Sequence, residues 1–221
     1  MPSCASWITN SIDVSELTYS YNAEASSLPP VINNISFSVK PHSSTLLFGA
    51  NGCGKSTLLS LLSYMHDDFS GTIFFSNHDL ITLSPRLFRN SISNVPQNLL
   101  FIQGSLRSNI SSGFSISVQQ IEALLSTFFL DEFIQSLPMK LGTVVTPLAP
   151  AIPVLIKKKI FLLRSAIKKP KYLFVDDVFT GMDEDEIRSI LLYFQKCGCT
   201  VLATSSDLDV KSCFDSVVDI H

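Results

Sequence analysis

Gly49-Ala50-Asn51-Gly52-Cys53-Gly54-Lys55-Ser56-Thr57 follows the pattern G-x-x-x-x-G-K-[ST]. The chemistry open to such a run is phosphate binding. Its glycines let backbone amides close around an anion, and a helix opening at Lys55 adds the positive end of its dipole. The Lys55 ammonium reaches β- and γ-phosphates, and the Ser56 hydroxyl is placed to ligate magnesium. A second stretch, Tyr172-Leu173-Phe174-Val175, ends in Asp176 and Asp177. Asp176 supplies a carboxylate able to hold Mg2+ through water beside Ser56. Together the two stretches predict a nucleoside triphosphate site.

The elements that must position these groups are legible in the hydrophobic pattern. Thr45-Leu46-Leu47-Phe48 is a short apolar run leading into the glycine-rich turn, and the leucines at 58, 59, 61 and 62 recur at helical spacing after Lys55. Strand, loop and helix follow in the order the phosphate chemistry requires. Ile12 to Tyr21 and Val31 to Val39 alternate apolar and polar residues around a Ser/Pro-rich loop at 25–30, which predicts antiparallel strands. The stretch from about 99 to 169 reads as largely helical, with a capping-box pattern at Ser117 and Gln120 ahead of Ile121, Leu124, Leu125 and Phe128. Tyr172 to Val175 and Thr200 to Ala203 read as buried strands, and Asp183 with Glu186 opens a helix carrying Ile187, Ile190, Leu191 and Phe194 on one face. Strands alternating with helices predict an α/β fold of mainly parallel core sheet, with ligands at the carboxyl ends of the strands.

Composition narrows the function classes. The 221 residues suffice to bury a core as one large α/β domain, and 16 basic against 19 acidic residues give a net charge of −3 with no basic block beyond Lys157-Lys158-Lys159. No nucleic-acid partner is expected. Only 16% of residues are charged and 46% are hydrophobic, which excludes disorder and hints at a partner surface. No apolar stretch is long enough for a membrane span, because Leu148 to Leu163 is interrupted by Pro150, Pro153 and three lysines, and the N-terminus lacks the pattern of a secretion signal. Five scattered cysteines fit a reducing compartment, and Cys197-Gly198-Cys199 reads as small buried residues at a strand start and not as a metal site. The lysine triple reads as a solvated helix face, the acidic run 183–186 as a helix start complementing its dipole, and the phenylalanines of the middle region as exposed.

With those motifs placed, nearly the whole chain resembles the nucleotide-binding domain of ABC transporters, and more closely the exporter type. The resemblance implies a P-loop NTPase fold over residues 1–221: a mainly parallel core sheet, an N-terminal antiparallel β subdomain and an α-helical subdomain at about 99–169. It implies ATP and Mg2+ as ligands, held by Gly49, Asn51, Gly52, Cys53, Gly54, Lys55, Ser56 and Thr57, with Tyr21 of Tyr19-Ser20-Tyr21 stacking on adenine. Val95-Pro96-Gln97, followed by Leu100-Phe101, Gly104-Ser105-Leu106 and Asn109-Ile110, matches the exporter segment whose glutamine contacts magnesium and the attacking water and meets the membrane domain. Gln97 takes that role, with Asp177 as the second catalytic candidate and Ser56, Gln97 and Asp176 as the metal set. Thr180-Gly181-Met182-Asp183 falls on the loop that contacts the second domain of a dimer.

The departures from the family pattern bear on hydrolysis more than on binding. Where the family carries a Leu-Ser-Gly-Gly-Gln signature, this chain has Ile152-Pro153-Val154-Leu155-Ile156, preceded by Thr146-Pro147-Leu148-Ala149-Pro150. Pro153 has no amide proton and Val154 and Leu155 add bulk, so this face is expected to grip a γ-phosphate poorly. Asp177 stands where the family has glutamate, and a carboxylate retreating by about 1.5 Å can cost on the order of a hundredfold in rate. Ser205 stands where the family has a histidine touching the γ-phosphate, and none of the histidines at 42, 66, 78 and 221 falls where it could substitute. The expected function is therefore an exporter-like ATP-binding domain at the cytoplasmic face of a membrane, hydrolysing slowly or not at all. Its expected partners are a transmembrane domain, fused upstream or separate, and a second nucleotide-binding domain in a homo- or heterodimer. The alternative is an ATP-sensing interaction protein outside transport, which the closeness of Met1 to the first strand keeps open. A competent homodimeric ATPase and another phosphate-loop enzyme such as a small kinase are weaker readings.

Overall fold

The computed structural model describes residues 10–21, 29–147 and 152–221. Strands β1 (Ile12–Tyr19), β2 (Ile32–Val39) and β3 (Ser44–Phe48) precede helix α1 (Lys55–Leu62), and β4 (Ser70–Phe75), β5 (His78–Asp79), α2 (Pro85–Ser91) and β6 (Ile92–Val95) follow it. The middle of the chain forms β7 (Gly104–Ser105), α3 (Leu106–Ser111), α4 (Val118–Leu125), α5 (Asp131–Ser136), β8 (Val144–Val145) and α6 (Val154–Lys168). The chain ends with β9 (Tyr172–Asp176), α7 (Glu184–Lys196), β10 (Thr200–Ser205) and β11 (Ser216–Asp219).

Five strands pair in parallel in the order β11-β3-β10-β9-β6, and β2-β1-β4-β5 form a separate antiparallel sheet. The pleat of the parallel sheet assigns alternate residues to two cores. Leu46, Leu173, Val175, Val201 and Ala203 face a cluster built with helices α3 to α7, whereas Leu47, Tyr172, Phe174 and Leu202 face one built with β1, β2, β4 and α1. A sheet covered on both sides accounts for the unbroken apolar runs of its strands. The parallel register sets Phe48 beside Ser205, Thr204 beside Asp176 and Val95 beside Val175. The strand ends that lead into the phosphate loop, the two aspartates and Gln97 therefore lie along one edge.

The helical region keeps its predicted capping box, with Gln120 N donating to Ser117 Oγ at 3.1 Å and Ser117 N donating to Gln120 Oε1 at 3.0 Å. The short β7–β8 pair interrupts it, a two-residue feature too brief for periodicity to reveal. At α7 the second expected box does not form. Asp183 is the N-cap residue but makes no side-chain capping bond, and Glu186 instead accepts from Lys159 Nζ at 2.5 Å. A largely buried ammonium draws a carboxylate more strongly than a neutral amide does. The lysine triple is correspondingly not a solvated face, since Lys159 is 7% exposed and Lys158 is half-buried. Nor are the middle phenylalanines an exposed set: Phe101 and Phe128 are core, while Phe114 and Phe129 are exposed. Cys199 is buried as expected, but Cys197 is exposed at the end of α7. Among the described residues no helix is long and apolar enough to cross a membrane, and no group of His, Cys, Asp and Glu is gathered as a metal site. Residues 25–28 of the Ser/Pro-rich loop and 148–150 of the Thr146–Pro150 segment lie outside the described residues.

Candidate nucleotide site

The phosphate loop joins the end of β3 to α1, and its shape depends on two glycines. Gly54 is the N-cap of α1 at φ 93°, and a Cβ there would come within 2.8 Å of the Val31 carbonyl and of Ile32. A Cβ at Gly49 would lie 2.4 Å from the Ile220 carbonyl and 2.8 Å from Cys53 Sγ. The first helical bond runs from Leu58 N to Gly54 O at 2.8 Å, so the amides of Lys55, Ser56 and Thr57 have no partner within the helix. Lys55 is buried, and its Nζ donates to the carbonyls of Gly49 and Ala50, each at 2.7 Å. Cys53 Sγ lies 3.9 Å from the same ammonium.

A cavity of about 280 Å³ opens beside the loop, lined by Asn51, Gly52, Lys55, Ser56, Gln97, Asp176 and Asp177 among others. Gly49 and Cys53 support the loop from outside this lining. Thr204 knits the acidic side together: its hydroxyl donates to Asp176 Oδ1 at 2.7 Å and accepts the Asp177 amide at 3.0 Å. Asp177 has φ 51°, the left-handed region, which turns its side chain away from the line of β9. Gln97 Nε2 donates to Asp177 Oδ2 at 3.2 Å, and Thr180 Oγ1 donates to Asp177 Oδ1 at 2.7 Å. Ser205, 1% exposed, lies with its hydroxyl 3.1 Å from that of Thr180. Lys158 Nζ, reaching in from α6, donates to the Thr180 carbonyl at 2.8 Å. Burial lowers the Lys158 pKa from the ordinary lysine range, while the charge on Asp177 works to raise it.

Tyr21 stands at the loop's flank. Its hydroxyl shares a hydrogen bond with Thr57 Oγ1 at 3.0 Å, and its ring meets Tyr19 edge-on at 5.2 Å and His66 at 5.8 Å. The ring is exposed, at 56%. The residues singled out in the sequence thus come together, while Thr180, Thr204, Lys158 and His66 join them without a spacing signal of their own.

The description "ABC transporter" belongs to the family model that matches residues 32–180, more than half of the chain. The chain belongs to this family. As an ABC domain it is 35% identical over 157 residues to "ABC-type transporter kk1G" of Curvularia clavata, covering 71% of this chain and 12% of that protein. It is 33% identical over 159 residues to mouse "ATP-binding cassette sub-family B member 10, mitochondrial", covering 70% of this chain and 22% of the relative. The ABC domain thus spans a minor part of these relatives' length. Its fold matches the solved structure "Structure of a bacterial Atm1-family ABC exporter with ATP bound" with a TM-score of 0.86 at 21% identity, over 97% of this chain and 37% of the other. The parallel sheet, the antiparallel sheet and the intervening helices are accordingly those of an ABC nucleotide-binding domain.

Proposed function

We propose that this domain binds Mg-ATP through its own phosphate loop and serves an exporter-like transporter at the cytoplasmic face of a membrane, with hydrolysis slow or absent. The observation that carries the reading is the convergence of the loop, Asp176, Asp177 and Gln97 around one cavity at the carboxyl ends of β3, β9 and β6. The residues present fit the ligands. Beyond its two chain neighbours, no atom of the described residues lies within 4 Å of where a Cβ on Gly52 would stand, which leaves room for phosphate against the backbone. Lys55 has two loop carbonyls and a long contact to Cys53 Sγ to give up, and the hydroxyl, carboxylate and amide oxygens of Ser56, Asp176 and Gln97 are the hard donors magnesium prefers. When bound, Mg2+ would neutralise charge on the β- and γ-phosphates. Tyr21 would offer its exposed ring to adenine.

Slow turnover follows from the groups that would act on water. Gln97 and Asp177 would hold the attacking water between them, and Asp177 would accept its proton. Asp177 is one methylene short of a glutamate, and both of its oxygens already accept hydrogen bonds. Ser205 is buried and has no positive charge of its own to offer a phosphate. Helix α6 opens at Pro153 with Val154 and Leu155 exposed, an apolar tip in place of a phosphate-binding one for a second domain. For the membrane domain, the groove of about 570 Å³ next to Gln97 is the proposed seat, with Met65, Leu100, Phe114 and Phe161 for apolar contact and Arg89 and Arg164 at hand for carboxylates.

The reading is tested by titrating the purified chain with Mg-ATP in a calorimeter, Lys55→Ala beside it, and following phosphate release in the same samples. Binding that Lys55→Ala removes, with release far below what a competent ATPase gives, is the expected result. Failure of the wild-type chain to bind ATP would refute it.

A further inference from the structure

Asp177 is the carboxylate that hydrolysis would need, and neither oxygen is idle. Oδ2 accepts from Gln97 Nε2 at 3.2 Å and Oδ1 from the Thr180 hydroxyl at 2.7 Å. The Thr180 oxygen also lies 3.1 Å from Ser205 Oγ, and Ser205 Oγ accepts the Asp207 amide at 3.0 Å. Counting protons fixes the direction of this chain of bonds. A carboxylate can only accept, so the single hydroxyl proton of Thr180 goes to Asp177. The bond between the two hydroxyls must then carry the Ser205 proton. The relay runs from Asp207 N–H through Ser205 and Thr180 to Asp177, and each bond polarises the next in the same sense.

The middle of the relay has little freedom to move. Ser205 is buried, and the Thr180 carbonyl is fixed by Lys158 Nζ at 2.8 Å, so Thr180 is held at its backbone from α6 and at its side chain from β10. Asp177 is fixed in turn through its own amide, which donates to Thr204. Each Asp177 oxygen keeps a further lone pair, but a water held between Asp177 and Gln97 has to displace the direct bond between them. The Thr180 bond is the shorter and the one backed by a second hydroxyl.

We infer that Thr180 and Ser205 form a two-hydroxyl latch that holds the Asp177 carboxylate against Gln97, in the place the attacking water would take, and so sets the rate of phosphate release at this site. Ser205 then has a use beyond the contact it cannot make with a phosphate: its proton supports Thr180. The inference rests on the nucleotide reading above. Thr180→Val keeps the branched shape and removes the proton, whereas Thr180→Ser keeps the proton.

Three quantities are read on the full chain: ATP binding, phosphate release, and the Asp177 χ1 angle from side-chain couplings without nucleotide. Wild type and Thr180→Ser are expected to show one fixed χ1 and equal release. Thr180→Val is expected to show an averaged χ1 and a kcat raised on the order of tenfold with KM unchanged, part of the roughly hundredfold or more that a positioned base contributes. Adding Asp177→Asn to Thr180→Val is expected to abolish that gain. If Thr180→Val does not fold, Ser205→Ala removes the supporting proton and is expected to move both readouts in the same direction. With ATP still bound, a fixed χ1 in the variant or the lack of any gain in release overturns the latch. Absence of ATP binding by the wild-type chain overturns the nucleotide reading and the latch with it.

Discussion

Helices α1 and α6 begin in opposite ways although each leaves three amides without a helical partner, since the first bonds run from Leu58 to Gly54 and from Lys157 to Pro153. At α1 the cap is Gly54 in the left-handed region, and the turn beyond it carries Lys55 and the exposed hydroxyl of Ser56. At α6 the cap is Pro153 with no side-chain capping bond, and Val154 and Leu155 cover the end with exposed apolar chains. The dipole is common to both ends. The side chains and the proline decide whether it is available, which is why one N-terminus suits an anion and the other suits a dry surface.

The largest test of that contrast is Lys55→Ala. Losing charge-assisted bonds to two phosphates is worth about 3–6 kcal/mol, so ATP affinity is expected to fall by at least about a hundredfold in calorimetry. An affinity within tenfold of wild type would mean that the α1 end is no better an anion site than the α6 end.

The next test asks what holds α6 if its tip does not. Its body carries the Lys159–Glu186 pair, with side chains 9% and 17% exposed, and the Lys159 ammonium also lies 5.6 Å from the centre of the Phe129 ring. Lys159→Ala leaves Glu186 nearly out of water without its partner, which costs about 3 kcal/mol. For a chain of this size that is a drop in Tm of about 6–12 °C by calorimetric melting. A drop under about 2 °C would show that α6 is held elsewhere.

How far the contrast was legible in the sequence depends on the kind of contact. The phosphate loop, Asp176 and the strands that present them follow local rules of spacing and pleat, and so did the proline at the head of α6. Glu186 and Lys159 were misread because each obeys its helix locally, as a capping residue and as one of three lysines, and only the packing of α6 against α7 sets them face to face. Thr180 and Lys158 carry no local signal, since their partners are brought in by β10 and the left-handed turn at Asp177. Of the site, the phosphate loop with Lys55 and Ser56, together with Gln97 and the two aspartates, was legible, and the Thr180 and Thr204 hydroxyls and the Lys158 ammonium behind them were not.

A smaller effect is expected from Pro153→Ser. Serine at the cap can accept from the amide of the second or third helical residue, which adds about 1 kcal/mol to the stability of α6 and about 2–4 °C to Tm. ATP affinity at the α1 end is expected to stay the same, because the two helix starts are independent sites. A changed affinity would tie them together.

The smallest effect separates the ring of Tyr21 from its hydroxyl. Tyr21→Phe removes only the bond to Thr57 and keeps the contacts with Tyr19 and His66, so ATP affinity is expected to change by no more than about threefold, under roughly 1 kcal/mol. Tyr21→Ala removes the stacking face as well and is expected to cost a further 1 kcal/mol or so. If Phe and Ala weaken binding equally, the hydroxyl on Thr57 is what matters. Tyr21 would then act on the α1 end of the contrast by shaping the loop, and not by stacking on the base.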